Sequence, residues 1–129
     1  MSGLSEPKPE AAAGSGERGL LARCGEGVAA AERLLHHARA AVRGRIDAAG
    51  SLDAEQAAGH GLAWLATYVE ALRQVLGWAT RLQAAGRFGR LEELLLSCAF
   101  GEYLAQIAGG IPMSQVETVR PMALGVPRA

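Results

Sequence analysis

The sequence predicts an all-α protein, a three-helix antiparallel bundle. Apolar residues recur at spacings of three and four through three long stretches. Glycine-bearing breaks separate those stretches. No segment alternates apolar and polar residues as a half-buried strand would, and β-branched residues are few. The 129 residues set an upper limit of one domain. Half of them are apolar but only 5% are aromatic, so the core is expected to be aliphatic, with alanine at close contacts.

A tail comes first. Residues 1–19, MSGLSEPKPEAAAGSGERG, offer almost nothing to bury and are expected to be flexible. The bundle is expected over 20–108. Its first helix, about 26–48, carries Val28, Ala31, Leu35, Ala38, Val42 and Ala49 on one face. Arg33, Arg39, Arg43 and Arg45 fall mostly off that face, and Gly50 can take the left-handed conformation that ends a helix.

The second helix is expected over about 54–85, with Gly86 as its stop. Asp53 with Gln56 is one candidate capping pair, and Ser51 is the rival cap. Two adjacent stripes run along it. One is Leu62, Leu65, Val69, Leu72, Leu76 and Ala79. The other is Trp64, Tyr68, Ala71, Val75, Trp78 and Leu82. Two stripes require two helical neighbours, so this helix should be central. Gly59 and Gly61 each cost roughly 1 kcal/mol relative to alanine in a helix.

The third helix, about 90–108, changes its apolar side along its length. Leu91, Leu94, Leu95 and Cys98 form one side. Leu96, Phe100, Tyr103, Leu104 and Ile107 form nearly the opposite one. The expectation is that helices one and two cover the first group. That leaves Phe100, Tyr103, Leu104 and Ile107 as the candidate interface. Residues 109–129 then read as a linker. Gly109 and Gly110 end the helix, Ser114 and Glu117 form a capping box for a short helix near 115–119, and Pro121 closes it.

Chemistry is sparse. The net charge is zero, which gives no electrostatic case for nucleic acid. No apolar run is long enough for a membrane span, and no apolar core of a secretory signal opens the chain. Cys24 and Cys98 form no metal-ligand pattern and read as reduced thiols in a cytoplasmic protein. His36 and His37 point about 100° apart on a helix and cannot chelate one ion together. They read as surface residues, with Glu32 placed to pair with His36. His60 reads as a capping or packing residue. Glu102 reads as a solvated or partner-facing carboxylate, the alternative being an acid/base group if it is buried. No catalytic, cofactor-binding or metal-binding residue is assigned.

Two runs are more specific: HGLAWLATYVEALRQ at 60–74 and FGEYLAQIAGGIPMSQ at 100–115. With the residues between them they resemble the N-terminal helical extension of acyl-CoA dehydrogenases of the methylsuccinyl-CoA dehydrogenase type. The resemblance covers about 28–120, with Val116 and Pro121 departing from it. It implies a flavoprotein setting: FAD, removal of two hydrogens from an acyl-CoA thioester, electron transfer to an electron-transferring flavoprotein, and the ethylmalonyl-CoA pathway. It also implies that flavin, thioester and catalytic glutamate belong to a dehydrogenase body absent from this sequence, to which 109–129 would lead. The favoured expectation is thus an accessory module, not catalytic alone, whose partner is the dehydrogenase body. The alternatives are a free-standing interaction protein that self-associates through helix three, and a small enzyme or ligand carrier with a pocket near His60, Trp64 and Tyr68.

Overall fold

A computed structural model describes residues 13–127. Helix α1 runs Ala13–Ala49, α2 Gln56–Ala84 and α3 Arg90–Gly109. The short connections at 50–55 and 85–89 make successive helices antiparallel. Every helix touches the other two, and α2 makes the most extensive contacts, as its two stripes require.

Helix α1 starts well before the expected residue 26. The expected tail therefore overlaps it at 13–19, and residues 1–12 lie outside the described residues. Its buried line is Cys24, Val28, Ala31, Leu35, Ala38 and Val42, a regular alternation of four and three that keeps one face inward. Cys24 extends the expected face by a turn, whereas Ala49 is exposed. Gly27 within this helix has a packing role. A Cβ there would lie 3.1 Å from Leu104 Cδ1, so its small size lets α3 approach.

Helix α2 follows the expected limits. A single 3-10 turn, Asp53–Glu55, precedes it. Ser51 is the effective cap: its Oγ accepts the Ala54 N–H at 3.2 Å, while Asp53 accepts from the Gln56 side chain at 3.3 Å. The first stripe supplies the core, with Leu65, Val69, Leu72 and Ala79 buried. The second is half-buried throughout. Gly86, at φ +67°, ends the segment as expected.

Helix α3 faces the opposite way from the expectation. Leu96, Phe100 and Ile107 are buried, and Tyr103 and Leu104 are half-buried against the same core. Of the expected interface residues, Phe100 and Ile107 are in the core, and Tyr103 and Leu104 pack against it half-buried. Leu91, Leu94 and Leu95 are instead 63%, 45% and 51% exposed, and Cys98 is exposed beside them. The reason lies in the first turn. The inward line through Leu96 and Phe100 passes through Glu92 and Glu93, which are half-buried. Glu92 Oε2 accepts the Gly89 N–H at 2.9 Å, closing the helix start. Phe88 before the helix and Ile111 after it are buried, and so hold that line inward from both ends.

The chain beyond α3 folds back onto the bundle. Strands β1, Ile111–Pro112, and β2, Thr118–Val119, pair antiparallel, with Ile111 opposite Val119. The expected helix at 115–119 is a hairpin turn. Ser114 Oγ accepts the Val116 and Glu117 N–H groups, while the Met113 N–H donates to the Glu117 carbonyl at 2.9 Å. Pro121 opens a 3-10 turn, Pro121–Leu124, rather than closing a helix. Proline suits a first helical position because no N–H is needed there.

Ile111, Val119 and Leu124 are 2%, 5% and 2% exposed. They sit over the end of the bundle where Gly61 lies. Arg45 fastens this layer, with Nη1 donating to the Ala123 carbonyl at 2.8 Å and Nη2 pairing with Glu55 at 2.6 Å.

Candidate functional site

The residues with chemical potential lie on α2 and α3. His60, Trp64 and Tyr68 follow one another at single-turn spacing on α2. Tyr103 of α3 meets Tyr68 edge to face, with ring centres 4.7 Å apart. The Trp64 indole N–H donates to His60 Nε2 at 3.2 Å, so His60 serves local packing. The Tyr68 hydroxyl donates to Gln106 Oε1 at 2.6 Å. The Gln106 amide in turn donates to Glu102. Glu102 itself is exposed. This chain of bonds joins two helices and presents no nucleophile. The depression lined by His60, Ala63, Trp64 and Thr67 holds about 160 Å³, below the ~300–1,000 Å³ of small-molecule sites. A ligand site near His60, Trp64 and Tyr68 would have only this small depression to use.

Burial pushes the Tyr68 hydroxyl above its ordinary pKa, and neighbouring Tyr103 and Glu102 add to the shift. The neutral form is the one favoured by folding. Its contribution to stability is complete below the unfolded-state tyrosine pKa and is lost as pH rises through the folded value. An ultraviolet titration should show a tyrosine ionising later than free tyrosine. Tyr68→Phe should remove that late component and cost about 1 kcal/mol for the lost hydrogen bond.

Glu32 and Glu70 are engaged within the fold. Glu32 does not pair with His36; its carboxylate binds Arg73 Nε of α2 at 3.1 Å. Arg73 also bonds Glu70 at 2.9 Å, so both carboxylates in the groove between α1 and α2 are tied to Arg73. Among the described residues, no three His, Cys, Asp or Glu side chains are grouped to hold a metal. No described helix is long and apolar enough to cross a membrane.

A glycine-rich turn with free backbone donors is one way to hold the pyrophosphate of a flavin dinucleotide. The four glycines with positive φ are Gly50, Gly86, Gly110 and Gly125. Each donates its N–H to a carbonyl at a helix end: those of Ile46, Gln83, Gln106 and Met122 respectively. None of these four N–H groups is free for a phosphate.

What remains unaccounted for is the outer side of α3. Leu91, Leu94 and Leu95 fall at i, i+3 and i+4, the spacing of a packed face, yet they meet no other part of the bundle closely enough to be covered. Sequence reading had these residues in the core. Buried Phe88 before the helix and Ile111 after it were the available signals, as apolar residues flanking the helix on its inward line.

No family model matches the chain. It is 50% identical over 112 residues to (2S)-methylsuccinyl-CoA dehydrogenase of Cereibacter sphaeroides. That similarity takes in 83% of this chain but 20% of the enzyme, so the chain spans about a fifth of the length of the curated relative it matches.

Proposed function

We propose that this chain is a helical accessory module of an acyl-CoA dehydrogenase of the methylsuccinyl-CoA type, acting by docking onto a dehydrogenase body and not catalytic alone. The similarity to one fifth of that enzyme, at 50% identity, carries the reading. Two structural facts support it. The polar groups on α2 and α3 bond one another rather than converging on a cavity. The outer side of α3 offers apolar surface to a partner.

On this reading FAD and the acyl-CoA belong to the body, which abstracts the two hydrogens, and the setting is the cytoplasmic ethylmalonyl-CoA pathway. The module contributes surface and rigidity. The aromatic contact and hydrogen bond between Tyr68 and α3 hold two helices at a set distance, so a partner meets a preformed face.

Co-expression tests this. The tagged full chain is produced together with a methylsuccinyl-CoA dehydrogenase lacking its matching fifth. Recovery of both in about equal amounts is expected. Recovery of the tagged chain alone would refute the accessory reading.

A further inference from the structure

We infer that the Leu91, Leu94 and Leu95 stripe of α3 is the face that docks onto the dehydrogenase body. The inference rests on the accessory reading and adds to it the location of the contact.

The first argument is that these leucines do not serve the bundle. Its core is complete on the other side of α3, through Leu96, Phe100 and Ile107. The outer arc of α1 carries Arg33, Arg39 and Arg43, and that of α2 carries Glu70, Arg73, Gln74 and Arg81, all exposed. Only α3, among the described helices, shows water three leucines at core spacing. Single exposed apolar residues are ordinary, but a contiguous set rimmed by charge marks an interface. Here the rim is the Arg90–Glu93 ion pair at one end and Glu102 at the other.

The second argument concerns the occupant. Covering three leucines removes on the order of 300 Å² from each copy in a symmetric pair, or about 600 Å² in total. Stable interfaces bury roughly 1,200–2,000 Å². A second copy meeting this stripe alone falls well short. In the relative, the matching fifth is part of the same polypeptide as the other four fifths. Tethering raises the effective concentration there, so a modest apolar face is sufficient in the relative, whereas a separate chain needs a contact that extends past the three leucines. A body about four times the length of the module can also surround the stripe and continue the contact beyond it. The occupant that suits the stripe is thus an apolar surface of the dehydrogenase body with polar groups placed to meet Arg90, Glu93 and Glu102.

The test uses the co-expression pair with two readouts. In one, Leu91→Gln, Leu94→Gln and Leu95→Gln are combined; glutamine keeps helix propensity and adds no charge. The variant should retain its circular dichroism while recovery of the body falls at least tenfold. In the other, the wild-type chain is unaltered and the alkylation rate of Cys98 is followed. Cys98 lies on the same stripe and is exposed, whereas Cys24 is buried with its thiol pKa raised by desolvation, which makes it the slow internal reference. Alkylation of Cys98 should slow at least tenfold in the complex relative to the free chain.

A complex that forms equally well with the triple variant, with Cys98 still reactive, would overturn this face and leave the accessory reading standing. Failure of the wild-type chain to bring down any body would overturn both. A free wild-type chain that dimerises, and a triple variant that does not, would overturn the body as occupant in favour of a second copy.

Discussion

Ile107→Glu should unfold the bundle, and Leu95→Glu should leave it folded. The two positions lie twelve residues apart on one helix, and the sequence pattern alone places them the other way round, Leu95 covered and Ile107 at an interface. Ile107 is 5% exposed and packs in the line of Leu96 and Phe100. A carboxylate there loses its hydration and gains no partner, since no buried polar or charged residue lies among the described core. The cost should be at least about 4 kcal/mol, a large fraction of the roughly 5–15 kcal/mol that holds a domain together. Leu95, half exposed, should change stability by no more than about 0.5 kcal/mol. Thermal melts of the two variants by circular dichroism check this. Similar melting temperatures would mean that α3 turns differently from the structure.

Gly61→Leu should detach the C-terminal layer. A Cβ at Gly61 would fall 2.5 Å from Val119 Cγ2 and 3.2 Å from both Val119 Cβ and Leu124 Cδ2. Those neighbours are buried and branched, and cannot swing aside as a long polar side chain could. Alanine would recover about 1 kcal/mol of helix propensity against this clash, but leucine adds volume that has nowhere to go. A net loss of about 2–3 kcal/mol is expected, concentrated in residues 109–127. Limited proteolysis should cut the variant between α3 and Leu124 while α1–α3 persist. The wild type should resist at the same sites. Gly59 provides the control, because a Cβ there meets only Leu52 Cδ1, at 3.5 Å, an ordinary contact.

Gly61 also shows where sequence reading stops. Locally it counts only as a helix penalty, and its purpose depends on residues 58 and 63 positions later. Helix α2 was legible because both of its stripes are long and continuous. The start of α1 was not, because residues 13–19 offer almost nothing to bury and Gly25 and Gly27 look like a turn; the reason for Gly27 lies on α3, in Leu104. The orientation of α3 was misread because both of its sides are apolar, and hydrophobicity alone does not rank them. The burial of Phe88 and Ile111, which flank the helix, goes with the inward line.

The hairpin had no sequence signature, since two-residue strands are too short to alternate. Ser114 with Glu117 misled for a physical reason. A serine oxygen accepting N–H groups two and three residues on occurs in turns as well as at helix starts. For the candidate site, the resemblance identified a likeness to the dehydrogenase and the similarity over 112 residues agrees with it, but the leucine face emerged only from the structure.

Sedimentation velocity recorded at both the peptide and the visible flavin wavelengths addresses docking and catalysis in one run. The sample contains the full chain and the co-expressed, truncated dehydrogenase; a second contains the chain alone. The chain alone should sediment as a small species with no visible absorbance. In the mixture the visible absorbance should travel only with the larger boundary, whose mass should exceed that of the body by about one module per dehydrogenase subunit. Visible absorbance sedimenting with the chain alone, or a mixture in which the two species travel independently, would contradict a non-catalytic module that works by docking.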